Sequence, residues 1–116
     1  MKILIVDDEK EFAAFLKDRL DLKGHSVDVA YDGKQAMEAI KLNGYEIVLL
    51  DHNMPEATGV EVIKYAKANN IKSKLVVITG YKESSEYFMR YIGADEYLTK
   101  PVQIKDVEEI IDKYSK

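Results

Sequence analysis

The chain has 116 residues, one domain's worth, with 47% hydrophobic and 33% charged residues, the composition of an ordinary folded globule. A net charge of -4, with Lys and Arg scattered along the chain, gives no electrostatic footprint for nucleic acid. The lack of cysteine excludes a disulfide framework and a thiolate metal site, and no apolar stretch approaches the roughly 20 residues that span a bilayer, so the expected setting is the cytoplasm.

The first apolar run, Ile3-Leu4-Ile5-Val6, ends in Asp7-Asp8 and not in a small-residue cleavage site, so it reads as a strand over 2–6 and not as a signal peptide. Ala13, Leu16 and Leu20 then form the buried stripe of a first helix. Phe12 falls at the margin of that stripe and Phe15 well off it. Ser26 to Tyr31 alternates in polarity, as expected of a strand at a sheet edge. His25, in the turn before it, has no assigned role. Asp32-Gly33 is a turn, followed by a second helix carrying Ala36, Met37 and Ile40. Asn43-Gly44 reads as a helix stop with a left-handed cap.

A second continuous apolar run, residues 46–50, leads into Asp51. Continuous Val/Ile/Leu runs of this kind mark strands buried on both faces. Thr58-Gly59-Val60-Glu61 fits a capping box for a third helix with Val60, Ile63 and Ala66-Lys67. Residues 74–79 form a third such run, ending at Thr79-Gly80. Glu96 to Thr99 is a short last strand before Lys100-Pro101. Val107, Ile110, Ile111 and Tyr114, spaced i, i+3, i+4, i+7, define the last helix. Both prolines, Pro55 and Pro101, lie just past a strand, where they break no ladder. The order is βαβαβαβαβα, which implies one α/β domain over 1–116, a parallel sheet with helices on both faces. The last helix ends with the chain, so no output domain is expected to follow.

Parallel strands bring their carboxyl ends to one edge, where open α/β sheets bind ligands. That edge would gather Asp7, Asp8 and Asp51, the Thr79 hydroxyl and the Lys100 ammonium. Three crowded carboxylates repel one another unless a cation joins them. Mg²⁺ prefers oxygen ligands and readily shares its shell with phosphate. Gly80 allows close approach of backbone to a ligand.

Asp7-Asp8, Asp51 followed by Met54-Pro55 and Gly59, Thr79, and Lys100-Pro101 together resemble the receiver domain of two-component response regulators, along the whole chain. The resemblance implies a flavodoxin-like fold with strand order 2-1-3-4-5. It implies that Asp51 accepts a phosphoryl group from a phosphohistidine of a sensor histidine kinase. Asp7, Asp8, Asp51 and the backbone carbonyl of Asn53 would hold Mg²⁺, with Mn²⁺ as a substitute ion. Lys100 would neutralise phosphoryl charge, Thr79 would hydrogen-bond a phosphoryl oxygen, and the Lys100–Pro101 bond would be cis. Tyr97 matches an aromatic switch position. A surface of the fourth helix, last strand and last helix, rich in Tyr87, Tyr91 and Tyr97, would be read by a downstream protein. Asn53 and Tyr81 would tune phosphoryl lifetime, with the bulk of Tyr81 slowing self-dephosphorylation. Phe12 and Phe15, close to the site, would dock the kinase. The chain would be a signalling phosphoacceptor, not an enzyme, monomeric when unphosphorylated and without nucleic-acid or membrane partners.

Three other functions share features of this sequence. A phosphorelay intermediate would pass the phosphoryl group on to a histidine phosphotransfer protein. A Mg²⁺-dependent aspartyl phosphatase needs a second aspartate two residues after the first, where Asn53 stands. A flavin carrier needs a Ser/Thr/Gly-rich phosphate loop, where Asp7-Asp8 would repel phosphate. His52 turns away from Asp51 by strand alternation. Val102-Gln103 departs from the family's pattern after the proline.

Overall fold

The structure, a computed structural model, describes residues 1–42, 44–51, 59–80 and 86–115. Five strands alternate with five helices: β1 (Lys2–Val6), α1 (Lys10–Leu22), β2 (Ser26–Ala30), α2 (Gly33–Leu42), β3 (Ile47–Asp51), α3 (Gly59–Ala68), β4 (Lys74–Thr79), α4 (Glu86–Ile92), β5 (Glu96–Thr99) and α5 (Ile104–Tyr114). All four strand pairings are parallel and the order is β2-β1-β3-β4-β5.

The continuous apolar strands have a simple cause. Side chains alternate between faces along a strand. Leu4, Val6, Val48, Leu50, Leu75 and Val77 enter one core with α2, α3 and α4 residues, among them Ala36, Ile40, Val62, Ile63, Ala66 and Met89. Ile3, Ile5, Ile47, Leu49, Val76 and Ile78 enter the other with Ala13, Leu16 and Leu20 of α1 and Val107 and Ile111 of α5. Every apolar position of the central strands β1, β3 and β4 is thus inside one core or the other. Each such side chain contributes on the order of 1.5–3 kcal/mol by leaving water.

The edge strand β2 keeps the alternation read from its sequence, but it ends at Ala30, and Tyr31 lies outside it. The third strand is shifted by one residue, beginning at Ile47 and including Asp51. In α3 the buried set includes Val62, which the sequence pattern passed over, while Val60 is half-buried and Lys67 exposed. Asp32 caps α2 as well as turning the chain: the Gln35 amide donates to Asp32 Oδ1 at 2.8 Å and the Tyr31 amide to Gln35 Oε1 at 2.9 Å.

The left-handed cap expected at Asn43-Gly44 involves Asn43, which lies outside the described residues. Among the described residues the left-handed position closes three other helices: Gly24 after α1, Asn70 after α3 and Gly93 after α4. In each the next amide reaches back five residues, from His25 to Leu20, Ile71 to Ala66 and Ala94 to Met89. That bond satisfies a carbonyl the helix end leaves over. Thr58 of the expected capping box also lies outside the described residues.

Candidate functional site

β1, β3 and β4 end at one edge of the sheet. Val6 pairs with Leu50 and Asp51 with Ile78, so Asp7, Asp51 and Thr79 reach nearly the same level. Asp7 and Asp51 are each 2% exposed, Thr79 is fully buried and Asp8 is exposed. One carboxylate oxygen from each of Asp7, Asp8 and Asp51 lies within 4.8 Å of the others. The Lys100 amide donates to the Thr79 carbonyl at 2.8 Å, extending the β4–β5 ladder and swinging the lysine over the edge. Its Nζ donates to Asp51 Oδ2 at 3.4 Å and to Glu9 Oε1 at 3.5 Å. The Lys100–Pro101 peptide is cis.

The charges at this edge feel one another. Burial pushes the Asp7 carboxyl up to about 6; the Glu9 amide, donating to Asp7 Oδ1 at 2.8 Å, pulls it down, and the Asp51 charge adds to the rise. Burial works against the Lys100 ammonium, but Asp51 and Asp7 overcome it and its pKa lies above the usual lysine value. The donor set fits a hard divalent cation: carboxylate oxygens only, two of the three groups buried, gathered closely enough to share one ion. A cation there would relieve the repulsion that Asp7 registers.

The structure therefore brings together Asp7, Asp8, Asp51, Thr79 and Lys100. Asn53, Tyr81, His52, Met54 and Pro55 lie outside the described residues. Tyr97 is half-buried beside the core of α2, α3 and α4, and burial, then the Glu86 charge, raises its pKa. Phe15 is 49% exposed, with the Arg19 guanidinium 6.0 Å from its ring centre. Phe12 is half-buried: it packs against the α1/α5 core, together with Val102 and Ile104. Tyr87 and Tyr91 are 81% and 79% exposed on α4. A Cβ at Gly80 would touch the Lys100 stem at 3.8 Å, an ordinary contact, so the fold itself does not demand glycine there. Sequence reasoning missed Glu9. Its only signal was adjacency to Asp7-Asp8.

A doubly wound parallel sheet with an acid-lysine pocket at its carboxyl edge defines a flavodoxin-like α/β protein. The model of the response regulator receiver domain matches residues 3–112. The transcriptional regulatory protein DltR of Streptococcus agalactiae is 32% identical over 108 residues, covering 92% of this chain and 48% of that protein. The response regulator ArlR of Staphylococcus saprophyticus is 33% identical over 111 residues, covering 95% and 49%. The receiver domain of Francisella response regulator 1452 superposes with a TM-score of 0.89 at 30% identity, covering 97% and 94%. TrrA of Thermotoga maritima, solved in complex with Mg²⁺-BeF, gives 0.87 at 29%, covering 97% of each chain. The chain belongs to the response regulator receiver domain family of two-component signalling. It spans about half the length of the curated relatives it matches.

Proposed function

We propose that the chain takes a phosphoryl group from a phosphohistidine of a sensor histidine kinase onto Asp51. The observation that carries this reading is the meeting of three carboxylates within 4.8 Å with an ammonium 3.4 Å from one of them. Asp51 Oδ attacks phosphorus, the N–P bond breaks, and Asp51 becomes an acyl phosphate while imidazole departs. Such transfers are catalysed mainly by positioning and electrostatics. Mg²⁺, held by Asp7, Asp8, Asp51 and the Asn53 carbonyl, would supply positive charge to the phosphoryl oxygens when bound. Lys100 shifts from carboxylate to phosphoryl oxygen, and the Thr79 hydroxyl donates to another. Tyr97 then turns inward and alters the surface of α4, β5 and α5. Tyr81 shields the acyl phosphate and, with Asn53, sets a slow loss. Phe12 and Phe15 meet the kinase.

Several curated relatives, DltR among them, are transcriptional regulatory proteins by name, but this chain carries a net charge of -4 and no basic block, so the partners we propose for it are proteins. Among the described residues no helix is long and apolar enough to cross a membrane. A cytoplasmic monomer that labels itself but turns over no external substrate is the reading we favour. Incubation with Mg²⁺ and a small phosphodonor, followed by intact mass, tests it. Wild type should gain one phosphoryl group and Asp51→Ala none; equal labelling of both would overturn it.

A further inference from the structure

On the α1 side of the site lies a pocket of about 240 Å³ lined by Glu9, Phe12, Lys100, Pro101 and Val102. It adjoins the acceptor directly, because Lys100 Nζ touches Asp51 at 3.4 Å and Glu9 at 3.5 Å. Three of its walls are apolar. Its one acid, Glu9, stands at the rim with a 65% exposed side chain. Resting on the proposed function, we propose that Glu9 is a specificity-determining residue: it makes this receiver favour phosphoryl donors with a nitrogen leaving group over donors with a carboxylate leaving group.

In-line displacement needs room for the leaving group beyond phosphorus, and in this proposal the leaving group enters the pocket beside Lys100. Phe12, Pro101 and Val102 suit a flat ring such as imidazole, which burying against apolar surface favours. Glu9 then sorts donors by charge. With phosphoramidate, the N–P bond breaks, an O–P bond forms on Asp51, and the protonated nitrogen departs as neutral ammonia. With acetyl phosphate, the O–P bond to the acetyl group breaks and acetate departs as an anion. The Glu9 carboxylate attracts the cationic nitrogen and repels the developing acetate. Loosening of Lys100 by loss of Glu9 would affect both donors alike, so the ratio of the two rates isolates the sorting.

The test measures labelling rates by intact mass, in excess Mg²⁺, with acetyl phosphate and with phosphoramidate, for wild type, Glu9→Gln, Glu9→Lys and Asp51→Ala. Glu9→Gln should raise the acetyl phosphate rate relative to the phosphoramidate rate by about fivefold at low ionic strength. The gap should narrow in about 0.5 M salt, and Glu9→Lys should move the ratio further the same way. Melting temperatures should stay at the wild-type value, since Glu9 is exposed. A ratio unchanged in both variants overturns the inference and leaves the phosphoacceptor reading standing. Labelling of Asp51→Ala at the wild-type rate, or no labelling of wild type by either donor, overturns that reading and the inference with it.

Discussion

Asp7 reports the state of the site by itself. Its carboxyl is driven up to about 6, by burial first and by Asp51 among its neighbours, even with Lys100 close by. Asp51, and after it Glu9, are the neighbouring charges that oppose its ionisation. Asp51→Asn removes one charge while keeping the shape. In chelator it should melt higher than wild type, by about 3–6 °C for a change of roughly 1 kcal/mol. Added Mg²⁺ should close the gap, as calorimetry can check; an equal or lower melting point in chelator would contradict the crowding. Phe15 makes a different kind of residue-level claim. Because it is half exposed and outside both cores, Phe15→Ala should leave stability within about 0.5 kcal/mol and slow phosphotransfer from the kinase. Asp7, Asp8, Asp51, Thr79 and Lys100 were legible because each terminates or follows an apolar run, and parallel strands must end together. Glu9 was not: an exposed acid next to two aspartates looks like any solvated side chain until the fold swings Lys100 across it.

Elements were read well where burial alone decides them and less well where backbone conformation does. The continuous strand runs and the stripes of α1 and α5 emerge because burial on two faces or one leaves a period in the sequence. Helix ends leave a weaker trace. Among the described residues Gly24, Asn70 and Gly93 hold the left-handed cap conformation, and none of the three stood out in the sequence. A glycine after a helix is permissive of the conformation and does not prescribe it. At Gly24 φ is +89° and no atom lies within 4 Å of an added Cβ, so Gly24→Ala would bring backbone strain without a clash. It should cost about 1 kcal/mol, measured by urea unfolding. β5 depends on its neighbours more than on its own half-buried residues. Glu96 accepts from Lys113 Nζ at 2.7 Å and from the Tyr114 hydroxyl, tying β5 to α5. Burial would raise the Glu96 pKa, but these two bonds outweigh it and hold the pKa below the usual value. A carboxyl with a depressed folded pKa stabilises above its unfolded pKa and loses that contribution as pH falls through the folded one. Glu96→Gln should therefore cost about 1 kcal/mol at neutral pH, discounted because Lys113 is largely exposed. The difference should vanish in acid, and a cost independent of pH would refute the ion pair as its source.

For the whole molecule, the parallel sheet is what turns scattered residues into a site. Each central strand feeds two cores through its alternating side chains, and that double anchoring fixes the level at which each strand ends. Asp7 and Asp51 are thus held rigidly, 44 positions apart in the chain, while Lys100 arrives from the far side of β4. The topology was legible in the alternation of strand and helix patterns, but its strand order came from the likeness to receiver domains. The pattern of apolar runs does not say which run lies beside which. On the proposed function, these separate segments form one cation site facing one ammonium. Titrating Mn²⁺ into isotope-labelled protein and following amide line broadening tests it most directly. Broadening should begin at Asp7, Asp8, Asp51 and the amides around Lys100, and should weaken sharply in Asp7→Asn and in Asp51→Asn. Broadening centred elsewhere, or undiminished in both variants, would rule out a shared cation site at this edge.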